Sequence, residues 1–287
     1  MKTDKSLKGT IKGTIRDFGF PFLLITYTMT LWFFAQSATF LLLVFAVAGM
    51  ALERWIPYHA EWQGIKTDSK IDAIFSVLTI FVSVIVKSGT TIVLSRAGME
   101  SHVWPSWPLP ISILIALVIS GFGPYLLHRA AHEWSAIMWQ VHAVHHAPDR
   151  VYLLNAMRTH PLNAAWNVLA GLGPLLLLGA DAQTILIAGS LNNFFSIFNH
   201  MNIDFRNPIL STFFNTSELH RWHHSTKQEF GDRNYSSGAI TFWDHVFGTW
   251  RLPIERFESS GAGLFGTSNF PGYSFSKQLL RPLCKCI

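Results

Sequence analysis

The chain has 287 residues, of which 49% are hydrophobic and only 14% are charged, against roughly 25% charged residues in soluble domains. With a mean hydropathy of +0.28, this composition excludes a soluble globular protein and predicts an integral membrane protein. There are 13 histidines but 2 cysteines, Cys284 and Cys286. Two cysteines one residue apart exclude a disulfide framework and a paired zinc ribbon, so we expect any metal site to use imidazole.

The net charge of +5 does not indicate nucleic-acid binding, because its densest basic cluster lies just before the first apolar segment: Lys2, Lys5, Lys8, Lys12 and Arg16. This arrangement is typical of a segment that stays on the cytoplasmic side of a membrane. The following apolar stretch, 18–52, is far longer than the core of a signal peptide. We therefore expect no nucleic-acid partner and expect the mature chain to keep this segment.

Four apolar segments follow in chain order, at 18–52, 71–94, 111–127 and 162–198. About twenty apolar residues cross a bilayer, so the first segment is long enough for two helices with a break near Gln36 and Ser37. The fourth is interrupted by glycines, Pro174 and Asp181, which predicts a membrane hairpin at about 162–199. The expected fold is all-α, a polytopic transmembrane bundle (1–127) followed by a histidine-rich helical cap (128–287) that includes this hairpin.

Whether 18–52 crosses the membrane once or twice is left open by its length, but the charge distribution favours two crossings. With a cytoplasmic N-terminus, two crossings return the basic loop 53–70 to the cytoplasm, and two more place His128 there. The hairpin then brings His200 back to the same side. We expect a bacterial inner-membrane protein whose histidine-rich region faces the cytoplasm, or an endoplasmic-reticulum protein if the source is eukaryotic.

Histidines form three closely spaced patterns and two single positions in the second half of the chain: His128 and His132; His142, His145 and His146; His160; His200; and His220, His223 and His224. On a helix, residues three or four apart share a face, so each pattern can present its imidazoles together. One zinc ion takes about four ligands, so eight converging imidazoles predict a binuclear centre. Imidazole suits iron, copper, zinc and nickel alike, which leaves the metal open. His59, His102 and His245 stand apart, and we expect them to be ordinary surface or core residues.

Carboxylates near these patterns are candidates for orienting the imidazoles, because a ligating histidine usually donates its second ring N–H to a carboxylate or carbonyl. The candidates are Glu133, Glu218, Asp232 and Asp244. Each could instead be a solvated carboxylate or a helix cap. Asn155 and Arg158 are further candidates for ordering the loop after the second pattern.

The order of the patterns resembles the fatty acid hydroxylase superfamily, which includes sterol desaturases, sterol methyl oxidases and alkylglycerol monooxygenase. That order is H-x-x-x-H, H-x-x-H-H, a single histidine after a membrane hairpin, and a second H-x-x-H-H. The resemblance extends to LLNAMRTHPL (153–162), ELHRWHHS (218–225) and DRNYSSGAITFWDHVFGTW (232–250). It covers roughly residues 124–250, while the N-terminal spans match only in hydropathy.

The resemblance implies a sterol desaturase-like, integral-membrane di-iron oxygenase that uses O2 to hydroxylate or desaturate a C–H bond of a lipid. It implies that the ligands of two iron ions, for which zinc can substitute, are His128, His132, His142, His145, His146, His200, His220, His223 and His224. Some relatives carry a further histidine where this chain has Ser196. His160 is therefore included as a tenth ligand that could supply the missing imidazole.

Electrons are expected to come from a separate protein, because the sequence has neither a haem-binding His-Pro-Gly-Gly segment nor a G-x-G-x-x-G dinucleotide motif. A ferredoxin, a rubredoxin, a flavoprotein reductase or a cytochrome b5 would serve. The lipid is left open among sterols, acyl chains, ether lipids, ornithine lipids and carotenoids.

Two alternatives keep the metal but not the reaction: a histidine-rich metal transporter and a non-catalytic metal-binding membrane protein. A transporter would place its ligands inside the spans along a pathway, whereas these patterns lie at span ends. An intramembrane zinc protease is excluded, because it would require H-E-x-x-H and Glu133 follows the second histidine of its pattern.

Overall fold

The structure, a computed structural model, describes residues 2–98, 103–265, 270–272 and 274–283, so His102, Cys284 and Cys286 lie outside the described residues. Within these ranges the chain is helical, with isolated β-bridges and no strands, which confirms the all-α prediction. The helices are α1 (Lys2–Phe33), α2 (Ala38–Trp55), α3 (Ser69–Arg96), α4 (Leu109–Arg129), α5 (Ala136–His146), α6 (Pro161–Leu177), α7 (Ala182–Phe198), α8 (Pro208–Phe213), α9 (Ser217–His223), α10 (Gln228–Gly231), α11 (Phe242–Val246) and α12 (Phe275–Leu280).

The apolar segments form helices where the hydropathy pattern predicts them. The first segment divides into α1 and α2, with a short 3₁₀ turn at Ala35–Ser37, close to the predicted break. The fourth divides into α6 and α7, where Gly179 adopts a positive φ of 74° and Asp181 caps α7 by accepting from the Thr184 amide at 2.9 Å. A left-handed residue followed by an acidic cap ends one helix and starts the next.

Among the described residues, three helical segments are long and apolar enough to cross a bilayer: Ala35–Trp55, Ser69–Arg96 and Leu109–Trp134. On α3, large apolar side chains such as Val77 and Phe81 are 68% and 60% exposed. A continuous exposed apolar surface of this kind is stable where lipid covers it. The chain is an integral membrane protein. Its orientation, and the division of the chain at 127/128, stay predictions.

The main hydrophobic core lies where α7 packs against α1 and α2. Phe194 and Phe198 stack with ring centroids 4.2 Å apart, and Phe194 also stacks on Tyr27 at 4.4 Å. All three side chains are fully buried. This packing holds the C-terminal end of α7, and with it the single histidine at position 200.

Helices α4 and α6 approach closely at a glycine. A Cβ atom at Gly123 would lie 2.7 Å from both the Cβ atom and the carbonyl oxygen of Ala170. Because Gly123 has no side chain, the end of α4 packs directly against Ala170 of α6. The first histidine pattern begins five residues further along α4, at His128.

We expect Gly123→Ala to lower the thermal stability of the protein in detergent, because overpacking against a backbone carbonyl costs about 1–3 kcal/mol. Gly121→Ala is the matched control: its Cβ atom would meet Trp243 at an ordinary 3.6 Å. That variant should be neutral or slightly stabilised, since alanine favours helix over glycine by about 0.5–1 kcal/mol. Equal melting temperatures for the two variants would contradict close packing at position 123.

Candidate metal centre

The first histidine pattern spans a change of helix type. α4 runs into a π-helical turn, Ala130–Trp134, in which the Ser135 amide donates to the carbonyl five residues back, that of Ala130, at 2.8 Å. His128 lies on the last turn of α4 and His132 on the π turn, with ring centroids 5.1 Å apart. Single π turns are rare and often found at functional sites.

The two H-x-x-H-H patterns lie on α5 and at the end of α9, and each divides its histidines between two groups. In each pattern the first and last histidines are four residues apart and so share a face, while the middle histidine points to a different side. His142 and His146 face one group while His145 faces the other. In the second pattern His220 and His224 face the group of His145, while His223 faces the group of His142 and His146.

Within the described part of the chain, the histidines form two groups in which the ligand atoms all lie within 4.8 Å of one another. The five-histidine cluster consists of His128, His132, His142, His146 and His223, and the four-histidine cluster of His145, His200, His220 and His224. The clusters are adjacent: the rings of His146 and His224 stack with centroids 4.3 Å apart. Eight of these residues are at most 9% exposed, and the side chain of His132 is fully buried.

Six of the nine rings donate Nδ1–H to an oxygen outside the clusters. The acceptors are Tyr235 O for His128 (2.7 Å), Asp232 Oδ1 for His132 (3.1 Å), Asn163 Oδ1 for His142 (2.7 Å), Arg158 O for His145 (3.2 Å), Asn155 Oδ1 for His200 (2.9 Å) and Arg233 O for His223 (2.8 Å). Since these oxygens accept, the proton of each neutral ring is on Nδ1. The lone pair is therefore on Nε2, which faces the cluster.

The inward-facing nitrogens have the arrangement that metal ions require. The Nε2 atoms of His142 and His146 are 3.0 Å apart, and those of His200 and His220 are also 3.0 Å apart. Nitrogens this close could bind one ion together, since metal–imidazole bonds are about 2.0–2.1 Å long.

Further nitrogens in the five-histidine cluster are buried without a hydrogen-bond partner among the described residues: the Nε2 atoms of His128, His132 and His223. Buried polar atoms without partners are uncommon and call for an explanation. A metal ion between the rings would satisfy these three Nε2 atoms, so the residues present fit a metal in the five-histidine cluster. In the four-histidine cluster the fit rests on the close approach of the Nε2 atoms of His200 and His220.

Burial keeps these rings neutral. It lowers the pKa of His142 to about 4 and of His200 to about 3, and burial together with the neighbouring His142 lowers the pKa of His223 to about 3. At neutral pH the rings therefore keep a free lone pair for a metal, because an imidazole binds metal only in its unprotonated form.

His160, the tenth candidate ligand, lies in neither cluster. Its Nδ1 accepts from the Leu162 amide at 3.1 Å, and its Nε2 lies 2.9 Å from the Leu279 carbonyl. It is the N-cap of α6 through Nδ1, and these two contacts occupy both ring nitrogens. His59 and His245 also stand apart, as expected, with Nε2 bonded to the carbonyls of Phe257 and Thr212.

Of the four candidate carboxylates, Asp232 contacts a clustered histidine directly, accepting from His132. Asp244 acts one step further out: it accepts from the amides of Tyr235 and Ser236 at 2.8 and 2.9 Å, and so holds the Tyr235 carbonyl that accepts from His128.

The other two carboxylates bond elsewhere. Glu133 accepts from Arg129 and from the Tyr235 hydroxyl, and Glu218 accepts from the Asn207 amide. The structure does not place Glu133 or Glu218 against a clustered imidazole.

Sequence reasoning missed most of the acceptors that orient the rings. Asn163 accepts from His142, yet a single asparagine in an apolar helix carries no distinctive pattern. Three further acceptors are backbone carbonyls, those of Tyr235, Arg158 and Arg233, for which the side-chain identity gives no signal. For Asn155 the sequence indicates only a role in ordering its loop, whereas its Oδ1 accepts from His200.

Comparison with known proteins identifies the family to which the chain is similar. The family model described as "Fatty acid hydroxylase" matches residues 113–249, which include all nine clustered histidines. An ornithine lipid hydroxylase of Rhizobium tropici is 33% identical over 249 residues, 83% of this chain and 73% of that protein.

Two eukaryotic relatives match a shorter part of the chain. Alkylglycerol monooxygenase of Homo sapiens is 29% identical over 152 residues, 52% of this chain and 33% of that protein. Sphingolipid C4-hydroxylase sur2 of Schizosaccharomyces pombe is 31% identical over 132 residues, 45% of this chain and 44% of that protein. The aligned region is thus less than half of either relative. No solved structure matches the chain. The coverage of the Rhizobium relative, the family-model match and the two histidine clusters together show that the chain belongs to the fatty acid hydroxylase family.

Proposed function

We propose that this protein is an oxidoreductase that hydroxylates a C–H bond of a membrane lipid at a centre of two metal ions. The observation that carries the proposal is the pair of adjacent, buried imidazole clusters, of five and four histidines, whose lone pairs converge. Nine ligands exceed the coordination shell of one ion, but two ions side by side can use them.

Iron is the metal that fits the proposed reaction. Imidazole alone does not select among iron, copper and zinc, and zinc, which has no redox chemistry, would bind as an inactive substitute. When bound, two iron ions would supply the activation of O2, with electrons from outside the chain.

The relatives named above are hydroxylases and monooxygenases, which supports hydroxylation over desaturation. None of those three names supports a sterol desaturase-like activity.

The protein's own contribution is to hold, orient and enclose this centre. The outward Nδ1–H bonds set which nitrogen of each ring is free, and the buried clusters keep bulk water away from the reacting carbon. The position of the clusters at the end of α4, beside the spans, suits a lipid that arrives from the bilayer.

The electron donor would be a separate ferredoxin, rubredoxin, flavoprotein reductase or cytochrome b5 on the cytoplasmic side. The membrane would be a bacterial inner membrane or the endoplasmic reticulum.

A metal transporter fits this arrangement less well. Its ligands would follow a pathway through the spans, whereas here the clustered histidines come from the end of α4, from α5 and α9, and from the turn after α7. The two clusters lie side by side, with the rings of His146 and His224 stacked 4.3 Å apart.

We expect His132→Ala and His145→Ala each to reduce the iron content by about one ion per chain, because each removes a ligand from a different cluster. Iron per chain, measured by elemental analysis of purified protein, checks this. His160→Asn is the matched control: asparagine is a good N-cap, so this variant should fold and keep both ions. Loss of iron in His160→Asn, or full iron in His145→Ala, would contradict the ligand assignment.

The reaction itself is tested by comparing the lipids of cells that express the protein, the His145→Ala variant or no protein. We expect one lipid class to gain one oxygen atom per molecule only with the intact protein. Ornithine lipid is the first candidate, because the Rhizobium relative aligns over most of both chains. Loss of two hydrogens would identify a desaturase, and unchanged lipids together with a single tightly bound zinc would overturn the proposal.

A further inference from the structure

The loop of residues 150–158, between α5 and α6, orients half of the four-histidine cluster. The Arg158 carbonyl accepts from His145, and Asn155 Oδ1 accepts from His200. The loop also contains Arg150, and both arginines are almost completely buried, at 1% and 2% exposure. The position of this loop therefore determines the direction of two of the four rings.

Arg158 is held by contacts to three parts of the chain. Its Nη1 donates to Asp72 Oδ1 on α3 at 2.6 Å, its Nη2 to Gln278 on α12 at 2.9 Å, and its Nε to the Val144 carbonyl on α5 at 3.1 Å. Asp72 is fully buried and also accepts from the hydroxyl of Tyr152, in the same loop.

Arg150 anchors the start of the loop in the same way. It donates from Nη2 and Nε to the two carboxylate oxygens of Asp68, at 2.7 and 3.3 Å, and from Nη1 to the carbonyls of Trp62 and Gly64. Its own carbonyl accepts from the Asn155 amide group at 2.7 Å, which sets the direction of the side chain that contacts His200.

A third buried carboxylate, Glu53 of α2, joins the loop to the other side of the cluster. Its Oε1 accepts from the amides of Leu153 and Asn202, at 2.8 and 2.7 Å. Asn202 follows His200 by two residues, so a single carboxylate joins the loop 150–158 to the turn that carries His200.

Buried carboxylates such as these are expected to contribute little net stability. A buried ion pair loses about as much in desolvation as it gains in attraction, and apolar replacements are often equally stable. Buried ion pairs do, however, fix geometry. Glu53, Asp68 and Asp72 all precede the segment that matches the family model, which begins at residue 113. The oxygens that accept directly from the clustered histidines lie inside it, in both clusters: Tyr235, Asp232, Asn163, Arg233, Arg158 and Asn155.

We propose that Asp72 is a positioning residue for the four-histidine cluster: through Arg158 and the loop 150–158 it holds His145 and His200 in metal-binding orientation, assisted by Asp68 and Glu53. The helices α2 and α3 thereby complete one of the two metal sites in addition to crossing the membrane. This inference rests on the proposed function in taking both clusters as metal sites.

The test uses full-length protein in detergent, stripped with a chelator and titrated with Co²⁺, whose visible absorption reports each site as it fills. We expect Asp72→Asn to weaken binding at one of the two sites by at least about tenfold, the lower end of the range for groups that support a ligand. The other site should keep its wild-type affinity. Asp244→Asn is the matched control, since Asp244 is also buried but holds the Tyr235 carbonyl behind His128; it should weaken the other site.

Combination with ligand variants distinguishes positioning from general destabilisation. In a His145→Ala background, which lacks the four-histidine site, Asp72→Asn should leave the remaining Co²⁺ binding unchanged. In a His132→Ala background the same substitution should weaken the remaining site by the full factor. If Asp72→Asn does not fold, Arg158→Lys gives the same readout: it keeps the charge and the His145 acceptor, a backbone carbonyl, but cannot keep all three contacts.

Wild-type protein that binds two Co²⁺ ions, with unchanged affinities in Asp72→Asn and Arg158→Lys, would overturn the positioning role alone. Equal weakening of both sites would overturn it as well, because it would show a general loss of structure. Wild-type protein that binds no metal in either cluster would instead overturn the proposed function.

Discussion

Nine imidazole rings packed into one buried space impose the constraint on which the rest of the site depends. Burial disfavours their protonation, and a neutral ring has one N–H and one lone pair that must both be used. In six rings the N–H points outward to a carbonyl, an amide oxygen or a carboxylate. The lone pairs are thereby concentrated inside, where only a cation satisfies them together. The outer acceptors therefore determine which nitrogen of these six rings is free.

The local helix geometry explains how a short sequence pattern builds two sites at once. In each H-x-x-H-H pattern, the pair four residues apart serves one cluster and the middle histidine serves the other. The two patterns make this division in opposite senses, so each helix contributes to both clusters. His128 and His132 bring the five-histidine cluster to its full number from the end of a span, and His200 does so for the four-histidine cluster from the turn after α7.

Features that depend on local sequence could be predicted, whereas contacts between distant parts of the chain could not. Hydropathy predicted the three span-length helices and the break before α2. Histidine spacing predicted eight of the nine clustered rings, and His200 was predicted from its place after the hairpin and from the family resemblance. His160 could not be excluded, because only the fold shows that its ring caps α6 and meets the Leu279 carbonyl. Likewise, the pairing of Asp72 with Arg158 joins residues 86 positions apart, and backbone acceptors have no side-chain signature.

The most direct test of two ions in one histidine cage is an experimental structure with anomalous diffraction at the iron absorption edge, from protein purified with its native metal. The account predicts two anomalous peaks, one within the five-histidine cluster and one within the four-histidine cluster. A single peak shared by both clusters, or metal bound away from these nine histidines, would contradict it.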